Sequence, residues 1–176
     1  GSDMSTLPSF TAVESTNISH ESITTSSFIS NLYNAGENEY ILPTGVASYS
    51  VYKGSYENNN LSSLSINETS LEADGVKLTP SKLIVNNATL TFKVTAITDL
   101  AFSFDISIDN FVNPNFNVKF IRYFASSKKA KEYLNVNLDN LNRINLLNDY
   151  LICDAEDVLY LEFSSLGGEI EFSNKN

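Results

Sequence analysis

The stretch Thr89 to Ile108, TLTFKVTAITDLAFSFDISI, constrains the fold of this chain more than any other. Leu90, Phe92, Val94 and Ala96 alternate with Thr91, Lys93 and Thr95; Phe102, Phe104, Ile106 and Ile108 alternate with Ser103, Asp105 and Ser107. Successive side chains of a strand point to opposite faces, so a period of two buries one face and wets the other. Each half therefore reads as a strand, with Phe92 and Phe104 in the core. The break at Ile97-Thr98-Asp99-Leu100 is short enough to join the halves as a β-hairpin, although no Asn-Gly type pair marks a turn there. A two-stranded ribbon with one apolar face is not stable alone in water, so the rest of the chain must supply strands that cover it.

The remaining sequence offers them at spacings of about 10 residues. Phe28 to Tyr33, Tyr40 to Leu42, Val46 to Tyr52, Leu61 to Ile66, Ser70 to Glu72, Val76 to Leu78 and Leu83 to Val85 precede the central stretch. Phe116 to Phe124, Tyr133 to Leu138, Ile144 to Cys153, Val158 to Phe163 and Glu169 to Phe172 follow it. Tyr49 and Val51 share one face of their strand, and Ser48, Ser50 and Tyr52 the other; Phe116, Val118, Phe120 and Arg122 form a similar row. Turn residues punctuate these runs, Gly75 after Asp74 being suited to positive φ. No helical stripe extends beyond about two turns, and no internal repeat is evident. The pattern predicts an all-β fold, an antiparallel β-sandwich of jelly-roll-like form. The 176 residues suit one core. Residues 28–176 read as that domain and residues 1–27 as a flexible or edge segment, headed by a cloning remnant, Gly1-Ser2-Asp3-Met4.

The formal charge of −10 and a pI near 4.4 argue against nucleic acid and anionic membrane as partners. The one basic run, Lys128-Lys129-Lys131, reads as a solvated loop. No run is long and apolar enough for membrane insertion, and no signal peptide pattern is present. Cys153 is the one cysteine, so no intrachain disulfide forms; its place after Leu151-Ile152 reads as buried filler.

Catalytic signatures are missing. With one histidine, His20, and one cysteine, His-dependent triads and Cys/His zinc clusters lack their parts, and no phosphate-cradling glycine loop, GxSxG or HExxH occurs. The chain reads as no enzyme. Calcium is the cation the composition would suit, at an acidic turn formed by Asp149, Asp154, Glu156 and Asp157; a second acidic cluster is Asp105, Asp109 and Asn110. The constellation Tyr49, Tyr52 and Tyr56, leading into Asn58, Asn59 and Asn60, offers aromatic faces for stacking on sugar C–H groups beside neutral hydrogen-bonding amides. Tyr52, Tyr56, Asn58, Asn59 and Asn60 are therefore the expected ligand site, suited to a neutral sugar.

The segment from Tyr150-Leu151-Ile152-Cys153 through Asp154-Ala155-Glu156-Asp157 to Val158-Leu159-Tyr160-Leu161-Glu162-Phe163 is a strand, an acidic turn and a strand. With the paired strands Leu90 to Ile108 before it, this close resembles that of extracellular jelly-roll accessory, carbohydrate-binding-like modules of bacterial secreted or surface proteins. Where those modules often carry Gly-Asp, this chain has Glu156-Asp157. The resemblance implies a non-catalytic module, secreted or at the cell surface, that recognises glycan or docks a partner protein. The alternative is a structural or assembly domain of an adhesin, an appendage or a trimeric jelly-roll protein, in which case the chain forms a homo-oligomer.

Overall fold

Period-two alternation yields strands throughout, and no helix forms among the described residues. The computed structural model describes residues 19–24, 39–41, 45–56, 60–67, 70–112, 115–138 and 144–172; side chains are described outside 19–24, 39–41, 103–112 and 144–150. The expected strand at Phe28 to Tyr33 lies outside these residues, as does the side chain of Phe104.

Two sheets form. The six-stranded sheet runs in the order β11-β10-β13-β8-β3-β2, where β2 is Glu39–Ile41, β3 Ala47–Ser55, β8 Ala88–Ala96, β10 Phe116–Phe124, β11 Lys129–Leu138 and β13 Val158–Ser165. The other sheet contains β1 (Ser19–Thr24), β4 (Ser65–Asn67), β5 (Ser70–Ala73), β6 (Val76–Leu78), β7 (Lys82–Val85), β9 (Leu100–Val112), β12 (Ile144–Cys153) and β14 (Gly168–Phe172). Its spine is β9-β14-β7-β6-β5-β4, with β12 also paired to β9. Pairing is antiparallel except between β1 and β9, which run parallel from Ser19↔Leu100 to Thr24↔Asp105. The architecture is a β-sandwich; the finer jelly-roll connectivity is not specifically shown by this order.

The central stretch is not a hairpin. β8 lies in one sheet and β9 in the other, so Ile97-Thr98-Asp99 carries the chain across the sandwich. Neither strand is hydrogen-bonded to its sequence neighbour: β8 pairs with β3 and β13, and β9 with β1, β12 and β14. The crossing is held by backbone groups of the 154–157 turn. Glu156 N donates to Ala96 O (2.7 Å), Ala96 N to Asp157 O (2.9 Å), and Ala155 N to the Asp99 carboxylate (2.9 Å). Opposite the crossing end, Asn87 N donates to Leu166 O (3.2 Å) and Asn86 N to Gly75 O (2.7 Å). Gly75 adopts φ +82, and a Cβ there would overlap the Asn86 carbonyl oxygen, so the turn before β6 requires glycine.

Between the sheets, Val51, Leu90, Phe92, Phe116, Val118, Leu161 and Phe163 of the six-stranded sheet meet Leu71, Leu78, Leu83, Val85, Leu100, Phe102 and Ile170 of the other. The rings of Phe163 and Phe172 meet edge to face across the layers, centroids 5.9 Å apart. Cys153 is 1% exposed, and burial above all pushes its thiol up to about 11. Because the thiolate is the reactive form, native protein at neutral pH is expected to resist alkylation by a maleimide, with full labelling once denaturant unfolds the chain. Rapid labelling of the native protein, followed by mass spectrometry, would show that the β12 end opens to solvent.

Candidate functional site: the solvent face of the six-stranded sheet

Alternation that buries Val51, Phe92, Leu161 and Phe120 in one cross-strand row must turn their neighbours to the opposite face. The first outward row is Tyr52, Thr91, Glu162, Lys119 and Asn135, taken across β3, β8, β13, β10 and β11. The next is Ser50, Lys93, Tyr160, Ile121 and Glu132, and a third contains Thr95, Val158 and Tyr123. With neighbouring strands about 4.8 Å apart, the five-strand face is about 19 Å wide. Tyr52, Lys93, Tyr160, Tyr123 and Glu162 are all half-buried there.

The centre of this face is a stacked group. The Lys93 ammonium lies 5.7 Å from the Tyr52 ring centroid and 5.9 Å from that of Tyr160. Both distances are within range for attraction between a cation and an aromatic quadrupole. β8 carries the lysine between β3 and β13, so the charge ties the rings together across three strands. Burial, then Glu162, Tyr123 and Tyr52, push the Tyr160 phenol above its ordinary range, so it stays a neutral hydrogen-bond donor.

Beside the rings, Thr89 and Ser164 satisfy each other through their hydroxyls at 2.9 Å. Thr91, one step along, is 0% exposed and its Oγ1 has no hydrogen-bond partner among the described residues. A buried hydroxyl without a partner costs about 1–3 kcal/mol. This one sits between Tyr52 and Glu162 in the register.

Of the ligand residues expected from sequence, Tyr52 does face away from the core, against Lys93. Tyr56 is 42% exposed just past the end of β3, and Asn60 is exposed; Asn58 and Asn59 lie outside the described residues. Tyr49 belongs to the core, 0% exposed, and so leaves the tyrosine constellation. Lys93 and Tyr160 were missed. Alternation alone marked both as outward, but nothing local indicates that segments near 52, 93 and 160 become adjacent.

The carboxylates of the acidic turn expected to suit calcium are not placed alike. Asp154 and Glu156 are exposed, whereas Asp157 is 1% exposed; the side chains of Asp149, Asp105, Asp109 and Asn110 lie outside the description. Asp157 Oδ2 accepts from Arg122 Nη2 (2.6 Å), Arg122 Nε (3.1 Å) and Asp154 N (3.0 Å), while Oδ1 accepts from Ala125 N (2.9 Å). These bonds hold the buried carboxylate and fill it with donors from the chain itself. Among the described residues no group of three or more His, Cys, Asp or Glu side chains is arranged to hold a metal ion. Arg122 continues the inward row of Phe116, Val118 and Phe120, with its guanidinium 4.1 Å from the Phe124 ring centroid. Burial opposes charge on both partners; for Asp157 the Ala125 amide, Arg122 and the Asp154 amide together outweigh it and hold the carboxyl below its ordinary range. Glu156 reaches φ +75 to close the turn, a left-handed conformation that glycine enters at less cost.

No family model and no curated protein matches the chain. Among solved structures, a crystal structure of the bacteriophage CBA120 tailspike protein 4 enzymatically active domain is similar, at a TM-score of 0.37 and 13% identity. The match covers 72% of this chain and 18% of that one, so the chain spans less than a fifth of its length. The expectation that this chain is no enzyme is corrected here. The matched domain is described as enzymatically active, and at this level of similarity enzyme status follows in neither direction.

Proposed function

We propose that the solvent face of the six-stranded sheet is a saccharide-binding surface centred on Tyr52, Lys93 and Tyr160, on a chain that works secreted or at a cell surface. The observation that carries this reading is the pair of tyrosine rings held on either side of the Lys93 ammonium. Tyrosine gives a flat apolar face and a hydroxyl at low cost in rotamer entropy. A sheet holds such rings at fixed spacing, so little ordering remains when a ligand arrives. Sugar rings present C–H faces to stack and hydroxyls to bond, and Thr91, Glu162 and the Tyr160 phenol stand among these rings in the register. An open face buries only part of a small ligand, so millimolar to micromolar affinity is expected.

Tyr52→Ala and Tyr160→Ala test the reading. Each should weaken binding to a glycan-array hit about tenfold or more, while urea unfolding changes by about 1 kcal/mol or less, as befits half-buried surface positions. A parallel loss of stability and binding would make the rings structural, and an array without any bound glycan would remove the proposal.

A further inference from the structure

We infer that the saccharide taken by this face carries an anionic substituent, with Lys93 as its anchor; the inference rests on the saccharide-binding reading above. Lys93 forms no ion pair among the described residues, and its recorded partners are the Tyr52 and Tyr160 rings. An ammonium held over ring faces keeps its N–H donors for an incoming acceptor, because the rings engage the charge without accepting conventional hydrogen bonds. The asparagine run pointed to a neutral sugar; the lysine at the centre of the face points to a charged one.

The chain's −10 charge is not an obstacle at this distance scale. Screening in physiological salt acts over about 8 Å, so the near neighbours decide. In the two central rows Glu162, on the diagonal from Lys93, is its nearest charge; Lys119 and, at its register position beside Ser50, Glu39 stand two strands away, so the local balance is about even. Glu132 stands three strands from Lys93, about 14 Å away.

The orphaned Thr91 hydroxyl is a second, independent sign of a missing partner. It neighbours Lys93 along β8 on the same face, two residues away. A sugar whose acidic group reaches Lys93 lies over the Tyr52 ring, which stands beside this position in the register. The acidic group forms a charge-assisted bond to the ammonium, the sugar ring packs on Tyr52 or Tyr160, and Glu162 accepts from a ligand hydroxyl. Carboxylated and sulfated sugars share this chemistry.

A glycan array with neutral, carboxylated and sulfated members, read with the wild-type chain and with Lys93→Gln and Lys93→Arg, decides the matter. Bound spots should be predominantly anionic, carboxylated or sulfated according to which group fits. Binding to them in solution should fall about tenfold or more in Lys93→Gln, survive in Lys93→Arg and weaken with added salt. Circular dichroism confirms that each variant is folded; if Lys93→Gln is not, the wild-type array and the arginine variant still decide. Bound spots that are neutral overturn the inference and leave the saccharide surface standing. Anionic binding that persists in folded Lys93→Gln removes Lys93 as the anchor. An array with no bound spot overturns both.

Discussion

Replacing Phe92 with alanine is expected to cost about 3–5 kcal/mol of folding free energy, the range for deleting a buried aromatic ring and leaving a cavity. Phe92 is 0% exposed, and its ring meets Phe163 edge to face at 5.9 Å. Phe163 in turn meets Phe172 of the opposite sheet at the same separation. The lost ring therefore loosens both a cross-strand contact and the contact between layers, and the neighbours are pinned by their own ladders and cannot collapse freely into the space. For a chain of this size the melting temperature should fall by about 10 °C, with an unchanged denaturant slope. A loss below about 1 kcal/mol would mean that the apolar stripe of β8 does not face the core. Lys93, one residue along and turned outward, serves as the contrast, since its removal should alter binding far more than stability.

Asp157→Asn should be nearly as damaging, at about 3–5 kcal/mol, because it leaves the Arg122 guanidinium buried without its counter-charge. The carboxylate also orders two connections at once through the Ala125 and Asp154 amides, which an uncharged amide oxygen holds less strongly. Replacing both partners, Arg122→Met with Asp157→Leu, should cost much less than the sum of the single changes, since no buried charge remains. If the double variant is as unstable as the sum, the pair acts independently and the argument from uncompensated charge fails. The same site gives a pH dependence. Its folded pKa is depressed, so the ionised form is favoured by folding. The stability it contributes is present above the unfolded value of about 3.9 and is lost as pH falls through the lower folded value. Wild type should lose stability in that acid window, and Asp157→Asn should show a flatter profile there.

How much of this was legible in advance follows from what each residue pattern encodes. Alternation in Thr89 to Ala96, Phe116 to Phe124 and Val158 to Phe163 determined that these segments are strands, which apolar row faces the core, and that Lys93 and Tyr160 face away from it; it did not mark the burial of Thr89 and Thr91 on the outer face. It also put Arg122 on the inward row, and the isolated apolar setting of Cys153 was enough to predict its burial. Side-chain direction has a period of two along a strand whatever strand lies beside it, so these features belong to the sequence.

Partners do not. An apolar stripe is satisfied equally by a neighbour in the same sheet or by the facing sheet, so the three residues 97–99 could be read as a hairpin turn when they in fact cross the sandwich. The clue was the missing Asn-Gly signal, and the decisive groups, the backbone of 154–157 and the Asp99 carboxylate, are distant in sequence. The same holds for Asp157, whose buried carboxylate is held by Arg122, 35 residues away. Burial, charge pairing and the meeting of Tyr52, Lys93 and Tyr160 are relations between segments. The sequence by itself determined which side of each strand is wet; only the tertiary structure, by choosing the strand order β3-β8-β13, decided which wet residues stand together.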